Sequence, residues 1–275
     1  MRNTLSTAPP TAIFGMIVVV FYLVLMLFAP VLAPYSETEL VGRQFEPWGG
    51  AFLLGTDNLG RDFLSRMIYA ARNTVGLALL TTIVAFLLGG IAGLIAAARG
   101  GWVDQIISRL VDVIMSIPSL IFSLLLLTIA GTNALTLILI IGVLDSTRVF
   151  RLARAVSMNV VVQDFFEASR LRGEGLLWQI RKEILPNVIA PLIVEFGLRF
   201  CFVFLTISAL SFLGLGIQAP YADWGSMVRE NATLISFEDI TPLIPAGAIA
   251  LLTVSVNFIV DWFLRLSSGI KITKG

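Results

Sequence analysis

The chain has 275 residues, 57% of them hydrophobic and 13% charged, against about 45–50% and about 25% in a soluble domain, so the lipid bilayer is its solvent. A net charge of +1 gives no basic field for a nucleic-acid partner. The single cysteine, Cys201, rules out an internal disulfide, and the absence of histidine excludes a Cys2His2 zinc site and weakens any Ser–His protease chemistry. No metal site is expected.

A bilayer core needs about 20 apolar helical residues. Ala12 to Leu32 meets that length. It exceeds the h-region of a signal peptide, and Pro34 directly after Ala33 would hinder cleavage there, so it is predicted as the first span. Glu37 to Arg72 is polar, with Gly42, Pro47, Gly49 and Gly50 as turn formers. Within it, Arg61 to Arg72 places Leu64, Met67, Ile68 and Ala71 on one helical face. That pattern suits either a helix lying on the membrane surface or a connector packed on the protein itself.

Asn73 to Ala98 is uncharged and reads as a second span, with Gly89, Gly90 and Gly93 allowing close helix approach. Val113 to Leu144 is also uncharged, but as one helix it would run about 48 Å, too long for the bilayer. Gly131-Thr132-Asn133 divides it into a third helix from Ile106 to Ala130 and a fourth from Ala134 to Phe150. Val188 to Ile217 and Ile240 to Val260 complete six spans. With the amino terminus inside, inner segments hold Arg2, Arg99, Arg109, Arg148, Arg151, Arg154, Arg170, Arg172, Arg181, Lys182, Arg265, Lys271 and Lys274. Outer segments hold only Arg43, Arg61, Arg66, Arg72 and Arg229. The positive-inside rule then puts both termini in the cytoplasm.

Between the fourth and fifth spans, Glu167 to Pro186 is basic and helix-forming. Asp164 and Glu167 have the spacing of a capping pair, which predicts a short helix starting after Asp164. Gly173 and Gly175 end it. A second short helix from Leu176 to Ile184 is expected to carry Leu177, Ile180 and Ile184 on one side. Two short helices meeting at a glycine hinge outside the membrane form a rigid knob.

The order Glu167, Ala168, Ser169, then Gly173, Gly175 and Leu185-Pro186 resembles the cytoplasmic EAA loop of ATP-binding-cassette (ABC) importer permeases. The resemblance extends over Leu54-Gly55-Thr56-Asp57, Gly60-Arg61-Asp62, Ser65-Arg66, Ala71-Arg72, Arg109, Asp112, Ser116-Ile117-Pro118, Ile184-Leu185-Pro186-Asn187, Leu210 to Gly216, Pro220 and Trp224-Gly225. Together these are similar to the second, C-type membrane subunit of the dipeptide, oligopeptide and nickel importer family. The third alanine of the motif is Ser169 here, and Glu183 stands where the peptide branch often has a basic residue.

The resemblance implies an all-α polytopic membrane protein with six transmembrane helices in the type I ABC importer fold. Residues 1–72 would hold the first span and outer segment, residues 73–265 the core with its coupling loop at 162–186, and residues 266–275 a cytoplasmic tail. It implies half of a translocation pore in the bacterial cytoplasmic (inner) membrane. The partners would be a homologous second permease subunit, two ABC ATPase subunits and an extracytoplasmic solute-binding protein. The solute would be peptide-like, with nickel-chelate and opine importers of the same family as alternatives. The chain has no Gly-x-x-x-x-Gly-Lys-Ser/Thr pattern, so it is expected to hold no cofactor, with ATP and magnesium bound by the ATPase partners.

Four further features complete the expectation. Pro118, beside Ser116, should kink the third helix and make it a candidate pore element. Glu195 and Arg199, four apart, should pair within the membrane as a structural or subunit contact, or as a contact to substrate. Gln218, Tyr221, Asp223 and Trp224 follow the fifth span on the outer side, where a binding protein would dock or where a Trp would anchor the interface. An ion-coupled transporter acting alone would need midplane carboxylates; Glu195 is the one candidate, and Arg199 sits beside it.

Overall fold

The computed structural model describes residues 8–267, all helix and connecting loop. Its helices are α1 (Pro10–Leu32), α2 (Phe63–Arg99), α3 (Gly101–Met115), α4 (Ser119–Ala130), α5 (Ala134–Val161), α6 (Asp164–Leu171), α7 (Leu176–Phe212), α8 (Trp224–Asn231) and α9 (Leu243–Ser267). Four of them, α1, α2, α7 and α9, are long and apolar enough to cross a membrane, and the bent pair α3–α4 makes a fifth if it is one span. The expected fourth span, α5, is not among them, because Asp145, Arg148, Arg151 and Arg154 interrupt its apolar run. It extends eleven residues beyond the expected end at Phe150. Arg2, Lys271 and Lys274 and the tail from residue 268 lie outside the described residues.

α1 begins at Pro10, whose fixed φ suits a first helical position. Asp62 caps α2 by accepting from the Ser65 amide at 2.8 Å, and Gly100, at φ 63°, stops it. The second span therefore starts ten residues before the expected Asn73, through one π turn at Ala71–Val75. The amphipathic stretch Arg61 to Arg72 leads into and begins that helix, packed on the protein itself with only Arg72 exposed, and is not a separate helix on the membrane surface. Arg61, Asp62, Ser65 and Arg66 are all buried, because charged partners await them inside.

Close packing of α2 on α5 forms the centre. A Cβ on Gly89 would lie 2.1 Å from the Ser146 carbonyl oxygen, and one on Gly93 would lie 2.8 Å from the Ala153 Cβ. Gly142 of α5 answers with Val84 Cγ1 at 2.9 Å. Gly90 meets nothing within 4 Å, so only two of the three expected glycines serve the contact. The main apolar core then joins α1, α2, α7 and α9 through Tyr22, Phe63, Phe204, Leu210 and Leu252.

The third helix is broken rather than kinked. α3 ends at Met115, Pro118 precedes α4, and the two axes differ by 84°. Pro118 supplies no amide and disfavours helical geometry at the residue before it. After Ala130, Gly131 at φ 86° turns the chain, and Asn133 caps α5 by accepting from the Thr136 amide at 2.9 Å. The division at Gly131-Thr132-Asn133 is as expected.

Candidate functional site

Two sites draw on these elements: a knob at one end of α5 and α7, and a charge cluster midway along them. Two residues, Val162 and Gln163, separate the knob from the end of α5. α6 starts at Asp164 itself, with Gln163 before it and no side-chain cap. The expected Asp164–Glu167 capping pair does not form, because the Phe166 and Glu167 amides already bond to the Gln163 carbonyl at 3.0 and 3.3 Å. Both carboxylates still favour the positive amino end of the helix.

Gly173, at φ 77°, closes α6. Its amide donates to Arg170 O at 2.9 Å and the Glu174 amide to Ser169 O at 3.2 Å, the paired bonds of a Schellman stop. Ser169 is fully buried and donates its hydroxyl to Phe166 O at 2.7 Å; alanine's hydroxyl-bearing substitute thus finds a partner within its own helix. Gly175 precedes α7, whose first turns include a π turn at Ile180–Ile184. That extra residue per turn rotates the faces, so Ile184 is buried while Leu177 is 79% exposed. The expected single stripe of Leu177, Ile180 and Ile184 is thereby split.

Phe166, Ile184, Val188 and Leu192 pack with Leu94 and Ala98 of α2 and Ala153 and Val160 of α5. Across the hinge, Arg172 lies 3.7 Å from Glu183 and 5.8 Å from the Trp178 ring centroid. Glu183, the unusual residue before Ile-Leu-Pro, ties the two arms together. Leu185 and Pro186 are helical, so the second arm runs without interruption into the 37-residue Leu176–Phe212 helix. The knob's free surface presents Glu167, Ala168, Gly173, Leu171 and Leu177.

At mid-helix, Arg199 Nε lies 2.7 Å from Glu195 Oε1. Asp145 Oδ1 of α5 stands 3.6 Å from Arg199 Nη1 and 3.4 Å from Arg148 Nη1. The expected Glu195–Arg199 pair is therefore part of a four-charge cluster, with Asp145 and Arg148, joining α5 to α7. Arg199 also stacks over Phe202 at 4.6 Å. Beyond it α5 continues a basic ladder: Arg151 pairs with Asp112 at 2.7 Å, and Arg154 pairs with Asp104. These bonds fasten α3, whose only buried residue is Val111, against α5. Ser116 is exposed at the break and bonds only the Val113 carbonyl, at 2.7 Å.

Opposite the knob, residues 37–66 and 222–231 form a cap. Asp57 pairs with Arg61 at 2.7 Å and Arg66 at 3.0 Å, and Glu230 approaches both arginines at 3.8 and 3.5 Å. Burial pushes the Glu230 carboxyl up, with the Arg61 charge opposing. Asp223 caps α8 through the Ser226 amide at 2.9 Å and accepts from the Thr74 hydroxyl at 2.8 Å. The Trp224 indole donates to Met67 O at 3.2 Å and lies edge-on to Tyr22 at 5.3 Å. Asp223 and Trp224 are thus buried inside the cap, and in this structure they offer no surface to a docking partner. Gln218 and Tyr221 remain exposed, although the Gln218 amide also donates to the Gly216 carbonyl at 2.9 Å.

Residues 86–268 match the family model of the binding-protein-dependent transport system inner membrane component, and residues 9–47 that of the N-terminal transmembrane domain of oligopeptide transport permease C. The dipeptide transport system permease of Alkalihalophilus pseudofirmus is 32% identical, over 91% of this chain and 83% of its own length. The di/tripeptide transport system permease of Pseudomonas aeruginosa is 34% identical, over 91% and 85%. A solved amino acid ABC transporter crystallised with histidines shares the fold at TM-score 0.56 and 20% identity, over 74% of this chain and 95% of that one. The chain belongs to the family of binding-protein-dependent transport system inner membrane components and is a multi-pass inner-membrane protein.

Proposed function

We propose that this chain is one half of the pore of an ATP-driven importer for a peptide-like solute, the solute class named for its relatives. In this reading six segments cross the membrane, with α3–α4 and α5 as the third and fourth, and both termini lie in the cytoplasm. The knob then faces the cytoplasm and the cap faces outward. A homologous permease subunit completes the pore, two ABC ATPases bind ATP and magnesium, and a solute-binding protein delivers cargo to the outer side.

The observation that carries the proposal is the knob itself. It exposes Leu171 and Leu177 at 83% and 79%, while its inner side is locked on α2 and α5. A knob of this form transmits force because a partner's push on it moves α7 as a rigid rod. A flexible loop would absorb the motion. Differential binding of the two conformations by nucleotide-loaded partners is then what shifts the pore between outward and inward access. The chain's own residues supply no nucleotide chemistry in this scheme.

The test is uptake of a labelled dipeptide into liposomes holding this chain, its companion permease, both ATPases and the binding protein. Uptake is expected only with enclosed ATP. Uptake by this chain alone without ATP would establish the ion-coupled alternative and overturn the proposal.

A further inference from the structure

We propose that Arg148 is a carboxylate-binding station for the solute in transit, held in position by Asp145, Arg199 and Glu195. This rests on the importer reading above and adds a residue that contacts cargo.

The cluster balances in charge, two carboxylates against two guanidiniums, but not in hydrogen bonding. Arg199 Nε lies 2.7 Å from Glu195, yet neither it nor Nη1, both buried, makes a well-aligned hydrogen bond. Asp145 offers one oxygen, Oδ1, to both arginines at 3.6 and 3.4 Å, longer than the about 2.7–2.9 Å of a strong charge-assisted bond. Its other oxygen, Oδ2, is buried with no partner. A guanidinium carries five N–H donors. Arg148 engages Asp145 Oδ1 at 3.4 Å and the Ser119 hydroxyl oxygen at 3.2 Å, leaving donors unspent.

Those donors have somewhere to point. Arg148 is 41% exposed while Asp145 is 10% exposed, and it borders a cavity of about 110 Å³ shared with Pro118, Ser119 and Thr147. A single water needs about 10–15 Å³ of such space, so the cavity has room for a carboxylate group. The cavity lies at the 84° break between α3 and α4, where the Ser119 hydroxyl of α4 adds a polar wall. Ionised side chains at membrane depth are expensive and concentrate on substrate and ion paths. An arginine with donors to spare, beside a hollow with room for a carboxylate, therefore fits a solute with a free carboxylate, as every unmodified peptide has.

The measurement is dipeptide uptake per ATP hydrolysed in the complete reconstituted importer, for wild type, Arg148→Gln, Arg148→Lys and Ser119→Ala. Arg148→Gln is expected to lower uptake per ATP about tenfold, the loss of one charge-assisted bond, with ATP hydrolysis still stimulated by loaded binding protein. Arg148→Lys should recover most of the uptake. Equal uptake in Arg148→Gln and wild type overturns the proposal, as does a lysine variant no better than glutamine, which would mark a packing role. If Arg148→Gln fails to assemble, Ser119→Ala decides: it is expected to reduce uptake severalfold, and unchanged uptake overturns the assignment. A wild-type complex that takes up no dipeptide would instead sink the importer reading, so the two failures are distinct.

Discussion

Asp57 is the residue on which the cap turns. Its Oδ2 meets Arg61 at 2.7 Å and Arg66 at 3.0 Å, and its Oδ1 accepts from the Leu59 and Arg61 amides at 2.9 Å each. Removing one partner from a buried ion network leaves the others uncompensated, at a cost of about 3–5 kcal/mol. Asp57→Asn is therefore expected to lower the melting temperature of the purified complex sharply, as read by tryptophan fluorescence, with Trp224 reporting from within the cap. Glu230 is the pH-sensitive member. Burial raises its carboxyl in the folded cap above the unfolded value of about 4.3, so the folded state holds the proton longer. Its contribution to stability is greatest below the unfolded value and falls as pH rises through the folded one. Glu230→Gln should flatten the melting profile in that acidic window, and an unchanged slope would contradict this. Little of this was legible from the sequence: Glu230 is 164 residues from Arg66, and no local period reveals that a basic residue in an amphipathic stretch points inward.

Among helices, contact rests on small residues more than on apolar bulk. In lipid, apolar side chains gain little from leaving one hydrocarbon for another, so backbone approach matters most. Gly89→Ala would force its Cβ to 2.1 Å from the Ser146 carbonyl oxygen and should cost several degrees of melting temperature, whereas Gly90→Ala, facing open space, should cost nothing measurable. Equal effects would show that α2 and α5 do not pack this way. Glycine pairs, apolar run lengths and the turn at Gly131-Thr132-Asn133 were readable because each is a local requirement. The break at Pro118 was readable only as a disturbance. What turns it into an 84° elbow is the fastening of α3 to α5 through Asp104–Arg154 and Asp112–Arg151, partners 50 and 39 residues apart. The capping pair at Asp164 failed for the opposite reason: the Gln163 carbonyl, one residue earlier, started the helix first.

For the molecule as a whole, the charged features lie in three layers along α2, α5 and α7: the cap, a mid-helix cluster and the knob. The long Leu176–Phe212 helix links all three, running from the knob past Glu195 and Arg199 to the cap residues Ser208 and Ser211, which a Cβ on Gly225 would strike. A displacement of the knob would thus reach the mid-helix cluster and the cap through one rod. The rigidity of the knob depends on Gly173, whose φ of 77° and amide bond to Arg170 O proline cannot reproduce, since proline fixes φ near −65° and lacks the N–H. The most direct measurement is ATP hydrolysis by the reconstituted complex of Gly173→Pro, with and without solute-loaded binding protein. The account predicts a complex that inserts and assembles but whose hydrolysis no longer responds to solute, and full solute stimulation in that variant would contradict it.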